Sequence, residues 1–266
     1  MDDLRLYLRY VRAYAAGLMA YRIALFARLA AYLAGALLEV VAIWVLFSQF
    51  GTLGTWTMTE TLLLFSVASM SFGLAEWFAR GFDKFPPYVA SGEFDVMLCR
   101  PRSTVLQVLG TRFEMAKAGR VAQGALLAAW CLGALGAVMT PAKAMLLVLA
   151  VIGGACVYAG VFIIFAAFSF WTVQSVELAY VLTNNTLEMF QYPVEIYGKW
   201  LRRFFTFVVP LACITYYPMV AILEKPDLTG MPGWFPWAAP GVGPLFLAGA
   251  LAFWHYGVRH YQSTGS

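Results

Sequence analysis

Charge is what this sequence of 266 residues has least of. Asp, Glu, Lys and Arg make up 12% of it, against about 25% in a soluble domain. With 62% of the residues hydrophobic, a water-soluble fold would need an implausibly poor surface, so that class is excluded. Cysteine is sparse as well. Cys99, Cys131, Cys156 and Cys213 form no close metal-ligand pair, and their distribution argues against structural disulfides. The only histidines, His255 and His260, lack the HExxH zinc pattern, and no GxSxG nucleophile elbow is present. A GxxxxGK[ST] phosphate loop is absent too, and the glycines at Gly153–Gly154 and Gly230–Gly233 sit in apolar or loop contexts rather than in a phosphate cradle.

What the sequence does contain is apolar length. Six stretches are long enough to be read as membrane spans of about 20 residues: Ile23 to Phe50, Thr57 to Phe78, Val121 to Val138, Ala144 to Trp171, Phe204 to Leu223 and Ala238 to Val258. The second is the least continuous, interrupted by Ser66, Ser69, Ser71 and Gly73. The expected fold is all-α, one polytopic membrane domain over residues 1–266 with six transmembrane helices. Residues 1–20 mix Leu4, Leu8, Val11 and Tyr14 with Arg5, Arg9 and Arg12, which suits a helix lying at the membrane surface; no cleavable signal peptide is apparent.

The basic residues set the expected sidedness. With the N-terminus in the cytosol, all but Lys143 and Lys225 of the 18 Lys and Arg fall on the cytosolic side, Lys199, Arg202 and Arg203 among them. Both termini are then cytosolic, in a bacterial inner membrane. The formal charge of +4 needs no nucleic-acid partner, since orientation and anionic lipid account for it.

Two cytosolic connections exceed simple turns. In residues 79–120, Pro86 and Pro87 stop the second span, Gly92 permits a turn, Pro101 ends a short segment and Ser103 can cap a new helix. In residues 172–203, Asn184 and Asn185 offer a turn, and Tyr192, Ile196, Tyr197 and Trp200 form an interfacial aromatic segment. The last external loop is rich in Pro, Gly and Trp, and its Trp234 to Trp237 can dip into the outer leaflet.

Within the first connection, Gly92 to Pro101 read GEFDVMLCRP. This resembles the Gly–Glu–x–Asp–x–x–Leu–x–Arg–Pro signature of ABC type 2 permeases, particularly a bacterial transport-system permease branch. Gly92, Glu93, Asp95, Leu98, Arg100 and Pro101 match its fixed positions. The similarity extends over essentially the whole chain, including the aromatic segment near Tyr192 and the closing Tyr261, Ser263 and Gly265. It implies an ATP-driven exporter in which two permease subunits, identical or related, form the pathway and two cytosolic ATPases drive it. ATP and Mg would be bound by those ATPases, with no cofactor on this chain. It also makes 79–120 a coupling segment, with Glu93, Asp95, Arg100 and Arg102 as candidate contacts to the ATPase. A local Asp95–Arg100 pair that merely shapes the connection is the other reading.

Glu39, deep in the first span, is the candidate pathway residue, because an unpaired carboxylate there is costly. An ion pair with Arg28 is the alternative. Glu76 is expected to pair with Arg80, four residues on. The aromatic residues, 21 Phe, 14 Tyr and 9 Trp, suit lipid belts or an apolar cleft for hydrophobic or amphiphilic cargo. Gly153, Gly154, Ala155 and Gly160 permit close helix contact. A non-transporting membrane scaffold would share this topology.

Overall fold

The computed structural model describes residues 22–112, 114–172, 192–227 and 229–262. The interfacial helix expected over 1–20, and most of the connection expected over 172–203, lie outside them. The described residues are helical almost throughout: α1 (Arg22–Phe50), α2 (Met58–Asp83), three short helices α3 (Pro86–Ala90), α4 (Glu93–Leu98) and α5 (Thr104–Leu109), then α6 (Ala118–Ala134) and α7 (Pro141–Phe168). After the gap come α8 (Lys199–Phe207), α9 (Tyr216–Ile222), α10 (Phe235–Ala238) and α11 (Val242–His260). Residues 58–90, 141–168 and 235–260 are each long and apolar enough to cross a membrane, and Leu37–Phe50 adds a shorter apolar helix. The fold is therefore all-α, with at least three membrane-length apolar helices. Large apolar side chains stand exposed along it, including Leu38 and Trp44 on α1, Leu126 and Trp130 on α6 and Met145 and Ile152 on α7. Such a surface suits hydrocarbon, not water.

The helix that reads as the weakest span is the centre of the bundle. Residues 61–73 of α2 are all buried, and both α6 and α7 pack along it. Its serines do not interrupt it, because the Ser66 and Ser71 hydroxyls donate to the carbonyls of Leu63 and Val67 one turn back. Without a hydrophobic force between helices in lipid, small residues set how closely backbones approach. A Cβ on Gly154 would collide with Ser71 of α2, one on Gly243 with the Gly153 backbone, and one on Gly160 with Phe246. The glycines of α7 thus serve contacts inside this chain, to α2 and α11.

Direction can be followed from the contacts. Met58–Asp83 is 26 residues, about 39 Å of helix at 1.5 Å per residue, so its two ends are far apart. At the Thr57 end, Glu60 accepts from the Thr57 backbone N–H and from Lys225 Nζ, and Lys143 at the start of α7 meets Glu224 at 2.7 Å. At the Asp83 end, Phe85 and Phe170, just beyond α7, pack with ring centroids 5.6 Å apart, and Trp254 of α11 lies 4.9 Å from Phe82. α2, α7 and α11 therefore run the same way, and α6 runs against them.

One expected span is reorganised. Phe204 to Leu223 is not a single helix but α8 and α9 joined by a buried turn. Pro210 explains the break: it supplies no N–H, and its ring disfavours helical backbone at Val209. The freed carbonyls of α8 are met instead by the Ala212 N–H, which donates to Phe205 at 3.0 Å, and by the Cys213 thiol, which donates to Thr206 at 3.5 Å. Both limbs open at the Thr57 end. Before α8, the Glu195 carboxylate accepts from Thr55 Oγ1 and from the Tyr216 hydroxyl. After α9, Lys225 Nζ donates to the Thr55 carbonyl at 2.7 Å. The turn carries Ile214 down to Gly154, about 16 Å along α7 from Lys143. It is a re-entrant hairpin, and Leu211, Ala212, Cys213 and Ile214 are buried in protein, as non-helical backbone at membrane depth requires.

This corrects the sidedness expected for Lys199, Arg202 and Arg203. They belong to the Thr57 end, opposite the 79–120 connection. Hydropathy reports apolar length and not direction, so two short limbs add up to one apparent span.

Candidate functional site: the charged end of the bundle

The Asp83 end holds most of the residues to which sequence assigns a role. Gly92 takes the left-handed conformation, φ 72°, that lets the chain turn from α3 into α4. Only one side chain of α4 is buried, Phe94, and it acts as a plug. Its ring meets Phe85 at 5.1 Å edge-to-face, Phe170 at 5.3 Å and Tyr261 at 5.1 Å. Those three rings sit just beyond the ends of α2, α7 and α11, so the plug touches all three helix ends at once. Around it, Glu93, Val96, Leu98, Arg100 and Arg102 are exposed. Asp95 is half-buried and faces Tyr261, whose phenol is raised from its ordinary pKa by burial and by that carboxylate. Asp95 thus lies against Tyr261, and Arg100 is exposed at the surface of the cap.

The segment after α4 is tied down as firmly. Gln107 Nε2 donates to the carbonyls of Met97 and Arg102, closing the α4–α5 loop. Trp254 Nε1 donates to Thr104 Oγ1 at 3.2 Å, fastening the start of α5 to α11. Gly81 of α2 lies against the Val108 carbonyl so closely that a Cβ would overlap it. Residues 79–109 therefore form a rigid cap rather than a loose loop.

Beneath the cap lies an ion network. Glu76 is buried and pairs with Arg80 at 2.8 Å, the expected partner, and also with Lys117 at 2.7 Å. Arg80 further reaches Asp83 at 2.9 Å and Glu114 at 3.8 Å, and Lys84 reaches Asp83 at 3.2 Å. Burial lowers the Lys117 pKa from its ordinary value, against the opposing pull of Glu76. Nothing local announces the Glu76–Lys117 pair, which needs α2 and the Met115–Lys117 turn to meet in space.

Glu39 is paired, and the side chain of Arg28, its expected partner, lies outside the described residues. The Glu39 carboxylate meets Arg120 of α6 at 3.6 Å. Arg120 is itself held by Ser69 Oγ at 3.1 Å, and its guanidinium lies 4.9 Å from the centre of the Phe72 ring. α1, α2 and α6 are joined through one arginine. The structure thus places Glu39 apart from Glu93, Asp95, Arg100 and Arg102, which it brings together on the cap. Among the described residues, no cluster of His, Cys, Asp and Glu has the arrangement of a metal site.

A family model described as ABC-2 family transporter protein matches residues 33–265. No curated protein and no solved structure matches the chain.

Proposed function

Because the chain belongs to the ABC-2 family of membrane transporters, we propose that it is the membrane-spanning subunit of an ATP-driven exporter, half of a pathway completed by a second permease subunit. Two copies of a separate cytosolic ATPase bind and hydrolyse ATP with Mg. This subunit supplies no covalent chemistry. The inner membrane is its site, with the Asp83 end toward the cytosol.

The observation that carries this reading is the build of the cap. A short helix presents Glu93, Val96, Leu98 and Arg100 outward, while Phe94 links it to the ends of three long helices. Charged and apolar groups side by side suit a protein partner, and the plug converts movement of α4 into movement of α2, α7 and α11. Nucleotide-driven closure of the ATPases works by changing the relative stability of inward-open and outward-open states. Glu93, Arg100 and Arg102 are the ATPase contacts in this account. Asp95, turned to Tyr261, positions the helix.

Glu39 lines the pathway as half of an ion pair with Arg120, so it presents no bare negative charge and gives no preference for a cationic cargo. An apolar recess of about 420 Å3 between α2, α6 and α7, lined by Met70, Ala128, Leu132 and Val151 among others, supports a hydrophobic or amphiphilic cargo. Reconstituted vesicles test the proposal. Loaded with a fluorescent amphiphile and supplied with the cognate ATPase, they should redistribute it with ATP, and not with an ATPase lacking its catalytic base. Equal redistribution in both would point to a scaffold.

A further inference from the structure

The re-entrant hairpin leaves three cations where orientation during insertion does not call for them. Lys199, Arg202 and Arg203 of α8 line a cavity of about 480 Å3 at the Thr57 end, closed by Thr206, Tyr217, Thr229 and Met231. That volume falls within the roughly 300–1,000 Å3 of small-molecule sites. Positive charge on this side runs against the rule that concentrates it on the other, and none of the three forms an ion pair with a carboxylate among the described residues. The nearby acids are turned to other donors. Asp227 accepts from Thr229 Oγ1 and from the N–H groups of Thr229 and Met231, and Glu195 accepts from Thr55 and Tyr216.

One buried donor on the cavity wall also has nothing to donate to. It is not the fully buried Tyr217, whose hydroxyl faces the Thr206 and Thr229 side chains. Arg202 uses one terminal nitrogen on the Glu195 carbonyl at 3.2 Å, while its buried Nε is unpartnered. Buried polar groups are almost always satisfied, so an unpartnered guanidinium N–H in a basic cavity points to an acceptor brought by a ligand. An oxyanion with several acceptor oxygens matches three cations. The same short helix carries Trp200, Phe207 and Val208 exposed, an apolar strip beside the charged one.

We propose that this cavity binds the phosphate group of an anionic amphiphile, held by Lys199, Arg202 and Arg203. The alkyl portion lies along Trp200, Phe207 and Val208. The site stands on the geometry of the hairpin and is independent of how the cap meets an ATPase.

The test is native mass spectrometry of the full chain, delipidated in detergent and titrated with phosphatidylglycerol or with phosphatidylcholine of the same acyl chains. Phosphatidylglycerol should bind at least about tenfold more tightly, the scale of one charge-assisted contact. K199Q/R203Q should erase that preference. Arg202→Lys, which keeps the charge and removes the planar fork of donors, should weaken it several-fold. Inorganic phosphate as competitor separates the sources. Displacement of the lipid identifies the phosphate group alone as ligand, and retained lipid identifies the whole amphiphile. Equal binding of the two lipids, or an undiminished preference in both variants, overturns the proposal.

Discussion

At the scale of single residues, the decisive balance is between charges buried together. Taking Glu76 and Lys117 out of water is costly, and their mutual attraction repays it only while both remain. Lys117→Met should therefore destabilise the chain by about 3–5 kcal/mol, the scale for stranding one partner of a buried pair. Adding Glu76→Gln to it should recover most of that loss, which thermal unfolding in detergent would read. The pH dependence has a definite sign. Burial lowers the Lys117 pKa below 10.5, so between the folded-state value and 10.5 the unfolded chain binds more protons, and this residue's contribution makes stability rise with pH. Below that window both states are charged and the contribution is flat. Unfolding measured across alkaline pH should show the slope in the parent chain and its loss in Lys117→Met. Phe94 is the other residue on which much depends: Phe94→Ala should cost about 3–5 kcal/mol and loosen α4 from three helices at once.

At the scale of elements, periodicity and length carried the reading where helices are long and continuous. Ile23 to Phe50 appears as Arg22–Phe50, and Ala144 to Trp171 as Pro141–Phe168. The turn at Gly92 and the stops at Pro86 and Pro101 were legible because those residue types act through their own backbone. Phe204 to Leu223 was not legible, since apolar length is the same whether a segment crosses or turns back. Pro210 signals a break but does not say that the two limbs share an end. The exposed charged residues of the cap, Glu93 and Arg100, lay in a recognisable local pattern, with Arg102 just beyond it. The Glu76–Lys117 and Glu39–Arg120 pairs did not, because each joins residues distant in sequence. Close packing makes its own prediction. Gly243→Ala would push α11 away from the Gly153 backbone and should destabilise by about 1–3 kcal/mol, the usual cost of overpacking. Gly249, with nothing near its missing Cβ, should accept alanine with no such loss.

At the scale of the whole molecule, the two ends of the bundle have different work. One end carries the rigid cap and its ion network, and the other carries the re-entrant hairpin and the basic cavity. That division can be mapped with a membrane-impermeant maleimide in intact cells. Cys99, exposed on the cap, should label only after permeabilisation, whereas a Lys199→Cys variant should label without it. Labelling of both from the same side would restore the arrangement in which 79–120 and Lys199 share the cytosol. The central claim, that the cap couples this subunit to an ATPase, is tested most directly by native mass spectrometry of the detergent-solubilised complex after co-expression with the cognate ATPase. The parent chain should appear in a four-subunit assembly containing two ATPases. Glu93→Lys with Arg100→Glu, both on exposed positions and expected to leave the unfolding temperature unchanged, should release the ATPases and leave the permease subunits paired. A folded parent chain that recruits no ATPase, or a charge-reversed cap that retains both copies, would contradict the account.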